Sequence, residues 1–304
     1  LVFDNKLMNL NSGIAYFQKR LYIIRKAQTH IEVEYFIYNT DNSSKILTQE
    51  LVAAAKRGVV VRILVDKSAA VFKLDEWYAT VLANQGIEVK YYNDATFLNL
   101  SLKTLVAISD INFRNHRKLI SVDDKYAIAG GRNIEDDYFD LSEDFNFIDR
   151  DIYIEGDIVK SMRESFDKYF DHEISVSPKL KQKPNKTRRH YKQAQGKEEA
   201  GWKIVDNSRA IKTYNKNIYE IEALIRNTEE LKSLRKKISS IANPILQTNK
   251  LVSCPETTFS TDAPGGLFLT RTLDNYSDEY RFLRKTLYDK AGAVDQKVIV
   301  SSPY

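Results

Sequence analysis

A layered α/β domain built on a mixed or parallel sheet is the fold class this sequence predicts, and three observations predict it. Helix-period and strand-period segments alternate through the first hundred residues. One strand segment, "VVVRILVD" at 59–66, is almost continuously apolar, as in a strand covered on both faces. After Phe113 the pattern changes to two short apolar runs around a tight turn, which adds antiparallel pairing.

The elements follow in order. Ser12 stands at a helix cap, and Ile14, Phe17, Leu21 and Ile24 share one helical face behind it. "HIEVEYFIY" (30–38) reads as a strand, and "SSKILTQELVAAAKRG" (43–58) as a helix closed by Gly58. The apolar strand at 59–66, a helix over about 75–84 and the strand "IEVKYY" (87–92) complete the alternation. "HRKLISVDDKYAIAGG" (116–131) predicts two strands that turn near Asp123 to Lys125. "DRDIYIEG" (149–156) adds a strand, and 157–172 an amphipathic helix carrying Val159, Met162, Phe166 and Phe170. This places the end of a first domain near Ser177.

Beyond it, 178–280 reads as a basic linker and a helical intervening segment. Residues 178–197 hold eight Lys or Arg and no acid, which favours a solvated linker over a patch that meets membrane phosphates. Residues 203–250 are helical and polar, with Pro244 expected to break the helix. The final helix and strand, 281–304, echo the opening helix and strand, so a second, truncated repeat is expected there.

Composition narrows the classes. With 43% hydrophobic and 29% charged residues the chain has the balance of a core-forming globular protein. No run approaches the roughly 18 apolar residues of a membrane-spanning helix. A net charge of +5 leans mildly towards anionic partners, phospholipid or nucleic acid. Cys254 is the single cysteine, which excludes an internal disulfide framework and a cysteine-built metal cluster. The chain begins at Leu1 rather than methionine, so targeting is not read from it.

The chemistry concentrates at 114–133, "RNHRKLISVDDKYAIAGGRN". Strand alternation turns His116 and Lys118 to one side and puts Asp123 on the other or in the turn, as a brace. Gly130 and Gly131 allow close backbone approach or positive φ. Asn133 returns to the histidine end if the two strands pair. Imidazole, ammonium and carboxamide together suit a phosphate: Lys118 supplies charge, Asn133 a donor, His116 a nucleophile or proton carrier. "EDD" at 135–137 reads as a turn or the lip of the pocket in preference to metal ligands. The aromatics of "EYFIYN" are expected in the core, with Tyr35 or Tyr38 as candidates to line the pocket.

"HRKLISVDD" fits the HxKxxxxD pattern of the phospholipase D superfamily at His116, Lys118 and Asp123, and "GGRN" follows with Asn133 in the asparagine position. The stretch from about 10 to 177 resembles one phospholipase D-like repeat, and is most similar to bacterial members that include cardiolipin synthases. The resemblance implies a layered sandwich with a mixed sheet flanked by helices. It implies phosphodiester hydrolysis or phosphatidyl transfer through a phosphohistidine, without metal or other cofactor, on phospholipid. His116, Lys118, Asp123, Asn133 and Asp149 are then the catalytic set. Asp149 orients the imidazole with Asp151 as its substitute, and Gly130, Gly131 and Tyr35 line the substrate site. A second HxKxxxxD is absent, since His30, His172 and His190 are not followed two residues later by lysine. The missing half-site is expected from a second repeat in the same polypeptide beyond Tyr304, or else from a homodimer. The resemblance points to peripheral membrane contact and the cell envelope. A nuclease of the same superfamily and a catalytically incomplete phosphate-binding module are the alternatives.

Overall fold

The computed structural model describes residues 4–67, 73–93, 114–185, 188–191, 201–204, 207–254 and 257–264, together with positions 286 and 289. In chain order the elements are β1 (Asn5–Leu10), α1 (Gly13–Lys26), β2 (His30–Tyr35), α2 (Asn42–Lys56), β3 (Val60–Asp66), α3 (Glu76–Asn84) and β4 (Ile87–Tyr92). There follow β5 (Leu119–Val122), β6 (Tyr126–Gly130), β7 (Asp151–Glu155), α4 (Ile158–Phe170) and β8 (Ser175–Val176). The chain continues with β9 (Arg188–Tyr191), β10 (Gly201–Ile204), α5 (Ser208–Leu224), α6 (Glu229–Thr248) and β11 (Val252–Cys254).

Nine of these strands form one mixed sheet in the order β11-β1-β7-β6-β5-β2-β3-β4-β8. β2, β3 and β4 run parallel, and the flanking pairs are antiparallel. Helices cover both faces. Ile31, Val33 and Tyr35 of β2 and Val61, Ile63 and Val65 of β3 pack with Phe17, Leu21 and Ile24 of α1 and Leu47 and Leu51 of α2. Leu64, Leu119, Ala127 and Ile154 look the other way, into Val159, Met162, Phe166 and Phe170 of α4. The apolar run in β3 is explained by this double cover. The Ser12 hydroxyl accepts from the Ala15 N–H to cap α1, and Gly58 takes φ +91° after α2.

Three features depart from the sequence expectations. β1 was not anticipated; its short, polar-interrupted run becomes a strand because β7 and β11 pair with it on either side. Ser177 does not end the packed body: α6 lays Leu231, Ile238 and Ala242 against the α1 side of the core, and β11 extends the sheet. Pro244 does not break α6, which runs through it to Thr248. A proline inside a helix costs about 3 kcal/mol. Burying a large aliphatic side chain returns about 1.5–3 kcal/mol, and both Leu231 and Ile238 are buried. The basic segment touches α3 at Lys181, whose N–H donates to the Thr80 hydroxyl and whose ammonium pairs with Glu76, while Lys179, Leu180, Gln182, Lys183 and Asn185 around it are exposed. Residues 192–200 of that segment, and nearly all of 281–304, lie outside the described residues.

Candidate active site

The site forms where the three parallel strands end. Open α/β sheets bind ligands at the carboxyl edge of their parallel strands, because the chain there leaves the sheet and opens a crevice. Phe36 follows directly on β2, and Asp66 is the last residue of β3. Across that edge runs an extended arm, residues 114–118, leading into β5. Along it Asn115 and Lys118 are buried, Arg114 and Arg117 half-buried, and His116 exposed.

The His116 ring stacks on Phe36 with centroids 4.2 Å apart and planes inclined by 26°. The Lys118 ammonium lies 5.6 Å from the same ring and donates to the His116 carbonyl at 2.6 Å. One phenyl ring thus gathers both groups on one side of the arm. Burial lowers the Lys118 pKa to about 8, although Asp149, Asp151 and Asp66 pull it up. Burial, and then the charge of Lys118, lower that of His116, which favours the neutral imidazole. A neutral imidazole beside an ammonium can attack an electrophile while the charge holds an anion.

The hairpin returns the chain as expected. Leu119 pairs with Ala129, and the Gly130 N–H donates to the Lys118 carbonyl at 3.2 Å. Neither Gly130 nor Gly131 has positive φ; close approach is what requires glycine at both. A Cβ at Gly130 would collide with the Asp151 carboxylate and the Arg150 carbonyl, and one at Gly131 with the Asp149 carboxylate. These glycines leave room for two carboxylates against the chain. Asn133 is buried, and its Oδ1 accepts from the Ile37 N–H at 3.0 Å, beside Phe36. The group it retains for donation is its NH2.

Among the acids, Asp149 is 7% exposed, close against Gly131, and its charge acts on Lys118. Asp151 is committed elsewhere: it receives the Arg20 Nη2 at 2.6 Å and the Arg132 N–H at 3.2 Å in the core. Asp123 is not at the site. It sits in the β5–β6 turn, at the far end of β5 from Lys118, and accepts from the N–H groups of Gln28, Thr29 and His30 at 2.8–3.0 Å. Burial raises its pKa, but these bonds and the Thr29 hydroxyl outweigh that and leave it below the usual carboxylate value. Asp123→Ala is expected to cost about 2–3 kcal/mol, seen as a lower denaturant midpoint. A midpoint unchanged from wild type would remove the brace.

Tyr35 does not line the opening either. It is fully buried, with its hydroxyl accepting from the Arg20 Nε at 3.1 Å. Tyr38 is also buried and bonds the Thr48 hydroxyl. Strand parity contains the reason: Tyr35 follows Ile31 and Val33 into the core, which turns Phe36 towards the arm. Glu135 and Asp136 serve local structure. Asp136 accepts from the Ser43 N–H at 2.6 Å at the start of α2, and Glu135 accepts from Asn39.

The "Cardiolipin synthase, PLD-like domain" family model matches residues 21–170, which contain β2 to β7, the hairpin and α4. Residues 21–170 are a phospholipase D-like domain. Cardiolipin synthase C of Escherichia coli (strain K12) is 34% identical over 173 residues, 57% of this chain and 36% of that protein. An uncharacterized protein of Helicobacter pylori (strain ATCC 700392 / 26695) is 37% identical over 176 residues, 55% of this chain and 34% of that one. The chain thus spans about a third of the length of these curated relatives. Among solved structures, the phospholipase D family member Nuc from Salmonella typhimurium overlaps 57% of this chain and 96% of its own, with 19% identity and a TM-score of 0.39. In the phospholipase D-like domain described here, the histidine and lysine of the HxK pair are the two groups that Phe36 gathers.

Proposed function

We propose that the domain supplies one half of a phosphodiester-transfer site that acts on phospholipid through a phosphohistidine. The observation that carries this reading is the exposed His116 imidazole stacked on Phe36 next to the Lys118 ammonium. In the step proposed, an imidazole nitrogen of His116 bonds to phosphorus as the ester P–O bond breaks, and the leaving alkoxide takes a proton. Water or an alcohol then displaces the imidazole, giving hydrolysis or phosphatidyl transfer. With the half-sites in opposite roles, His116 instead donates the proton. Lys118 and the Asn133 NH2 hold the non-bridging oxygens, where each such donor is worth on the order of 100–1000-fold in rate. In this reading Asp149, packed against Gly131, balances Lys118 and holds the imidazole's orientation.

The opposing histidine is supplied by a second repeat or a second copy of the chain. Phospholipid is favoured over nucleic acid by the relatives whose names specify cardiolipin synthesis. The test is turnover of phosphatidylglycerol vesicles by the full-length protein in EDTA, with DNA as the competing substrate. Lipid turnover without DNA cleavage is expected; DNA cleavage with intact lipid would reassign the substrate to nucleic acid. Phosphate binding without turnover of either would leave a binding module.

A further inference from the structure

The arm that carries His116 is held from behind by side chains the proposed reaction does not use. The β2–β5 ladder stops at the pairing of Glu34 with Leu119, so residues 114–117 run beyond it. A backbone outside a ladder still needs partners for its polar groups when buried. Here buried carboxylates and an amide supply them. Asp66 accepts the Asn115 N–H at 2.8 Å. The Asn115 Nδ2 donates to Glu34 Oε1 at 2.6 Å, and its Oδ1 accepts the Arg117 N–H at 3.0 Å. The Arg117 guanidinium lies over the Tyr169 ring at 4.2 Å and 3.4 Å from Glu34 Oε2.

The two peptide N–H groups on either side of His116 are therefore fixed by side chains, and Lys118 binds the His116 carbonyl. Asn115 and Arg117 face Glu34, while His116 and Lys118 face Phe36. Glu34, Asp66 and Asn115 are 0%, 1% and 3% exposed. Burying two carboxylates and an amide is costly unless each is bonded, and an apolar filler would support a strand edge at less cost. Their bonds converge on the arm around one exposed imidazole. A reacting group displaced by about 1 Å loses on the order of 100-fold in rate, which is the margin such a clamp protects.

We propose that Glu34, Asn115 and Asp66 are positioning residues that hold His116 on its line towards phosphorus. This rests on the phosphohistidine reading above. The test uses the full-length protein and phosphatidylglycerol vesicles. Asn115→Asp sets a carboxylate against Glu34, and kcat is expected to fall on the order of 100-fold while KM stays within about threefold. Adding Glu34→Gln reverses donor and acceptor, restores the bond, and should return kcat to within about fivefold of wild type. Asn115→Ala, which removes the bonds without adding charge, should show the same fall in kcat and gives the answer if Asn115→Asp does not fold. A kcat within about twofold of wild type in the folded single variants, a loss carried by KM, or a double variant that does not recover would overturn the clamp. His116→Ala, assayed in parallel, separates the two readings. If it keeps turnover, the phosphohistidine reading has failed; if it is inactive beside a fully active Asn115→Ala, the clamp alone has failed.

Discussion

His116→Ala is expected to reduce phospholipid turnover by about 10,000-fold or more while leaving the melting temperature close to wild type. The two halves of that expectation have different origins. A nucleophile or obligatory proton carrier acts as a unit with its partners, and its loss removes nearly all their joint effect. The imidazole is exposed and stacks on Phe36, and truncating an exposed side chain removes little buried packing. Steady-state assay of vesicle lipid, together with thermal unfolding, checks both. Residual turnover within tenfold of wild type would remove His116 from the chemistry. The same pair sets the pH profile. Activity should rise from acid pH as His116, whose pKa lies below its ordinary value, loses its proton and becomes nucleophilic. It should fall again as Lys118 loses its charge around pH 8. A rate still climbing well above pH 9 would show that the ammonium is not needed.

Asp151→Ala is expected to destabilise the fold by about 3–5 kcal/mol, a large share of the roughly 5–15 kcal/mol that holds a domain together. The Arg20 and Asp151 side chains are 1% and 0% exposed, and their 2.6 Å pair joins α1 to β7 across the core. Removing the carboxylate leaves a buried guanidinium facing Tyr35 and deprives the Arg132 N–H of its acceptor. Chemical denaturation or soluble yield measures the effect. Arg20→Met together with Asp151→Leu should recover part of the loss, because no unpaired charge then remains. A loss under about 1 kcal/mol in Asp151→Ala would mean that the pair is solvated or replaced.

Much of the fold was legible because period and punctuation agreed. The Ser12 cap, Gly58, the alternation in β4 and the apolar β3 each report a local preference that tertiary packing leaves in place. β1, β11 and the continuation of α6 through Pro244 were not legible. Their stability comes from pairing or packing with segments more than a hundred residues away, and no local window contains that information. The site divides in the same way. His116 and Lys118 stand two residues apart on an extended arm, and parity alone turns them to one side. Asp123, inside the same motif, was separated from them by that parity, and the structure finds it bracing the turn. Phe36, Glu34 and Asp66 stand outside the motif, and their contacts with the arm are made across the sheet from it.

By itself, then, the sequence placed an imidazole and an ammonium two residues apart on one side of the chain, because spacing along a strand is a one-dimensional property, and its HxKxxxxD and GGRN motifs carried the resemblance to the phospholipase D superfamily. Only the tertiary structure decided which acids act on the ammonium, which ring gathers the pair, and which side chains bond the arm. Those relations are made between strands β2, β3, β5 and β7, whose order in the sheet is not their order in the chain. Burial in that sheet is also what moves the Lys118 pKa to about 8, a shift the sequence alone does not contain.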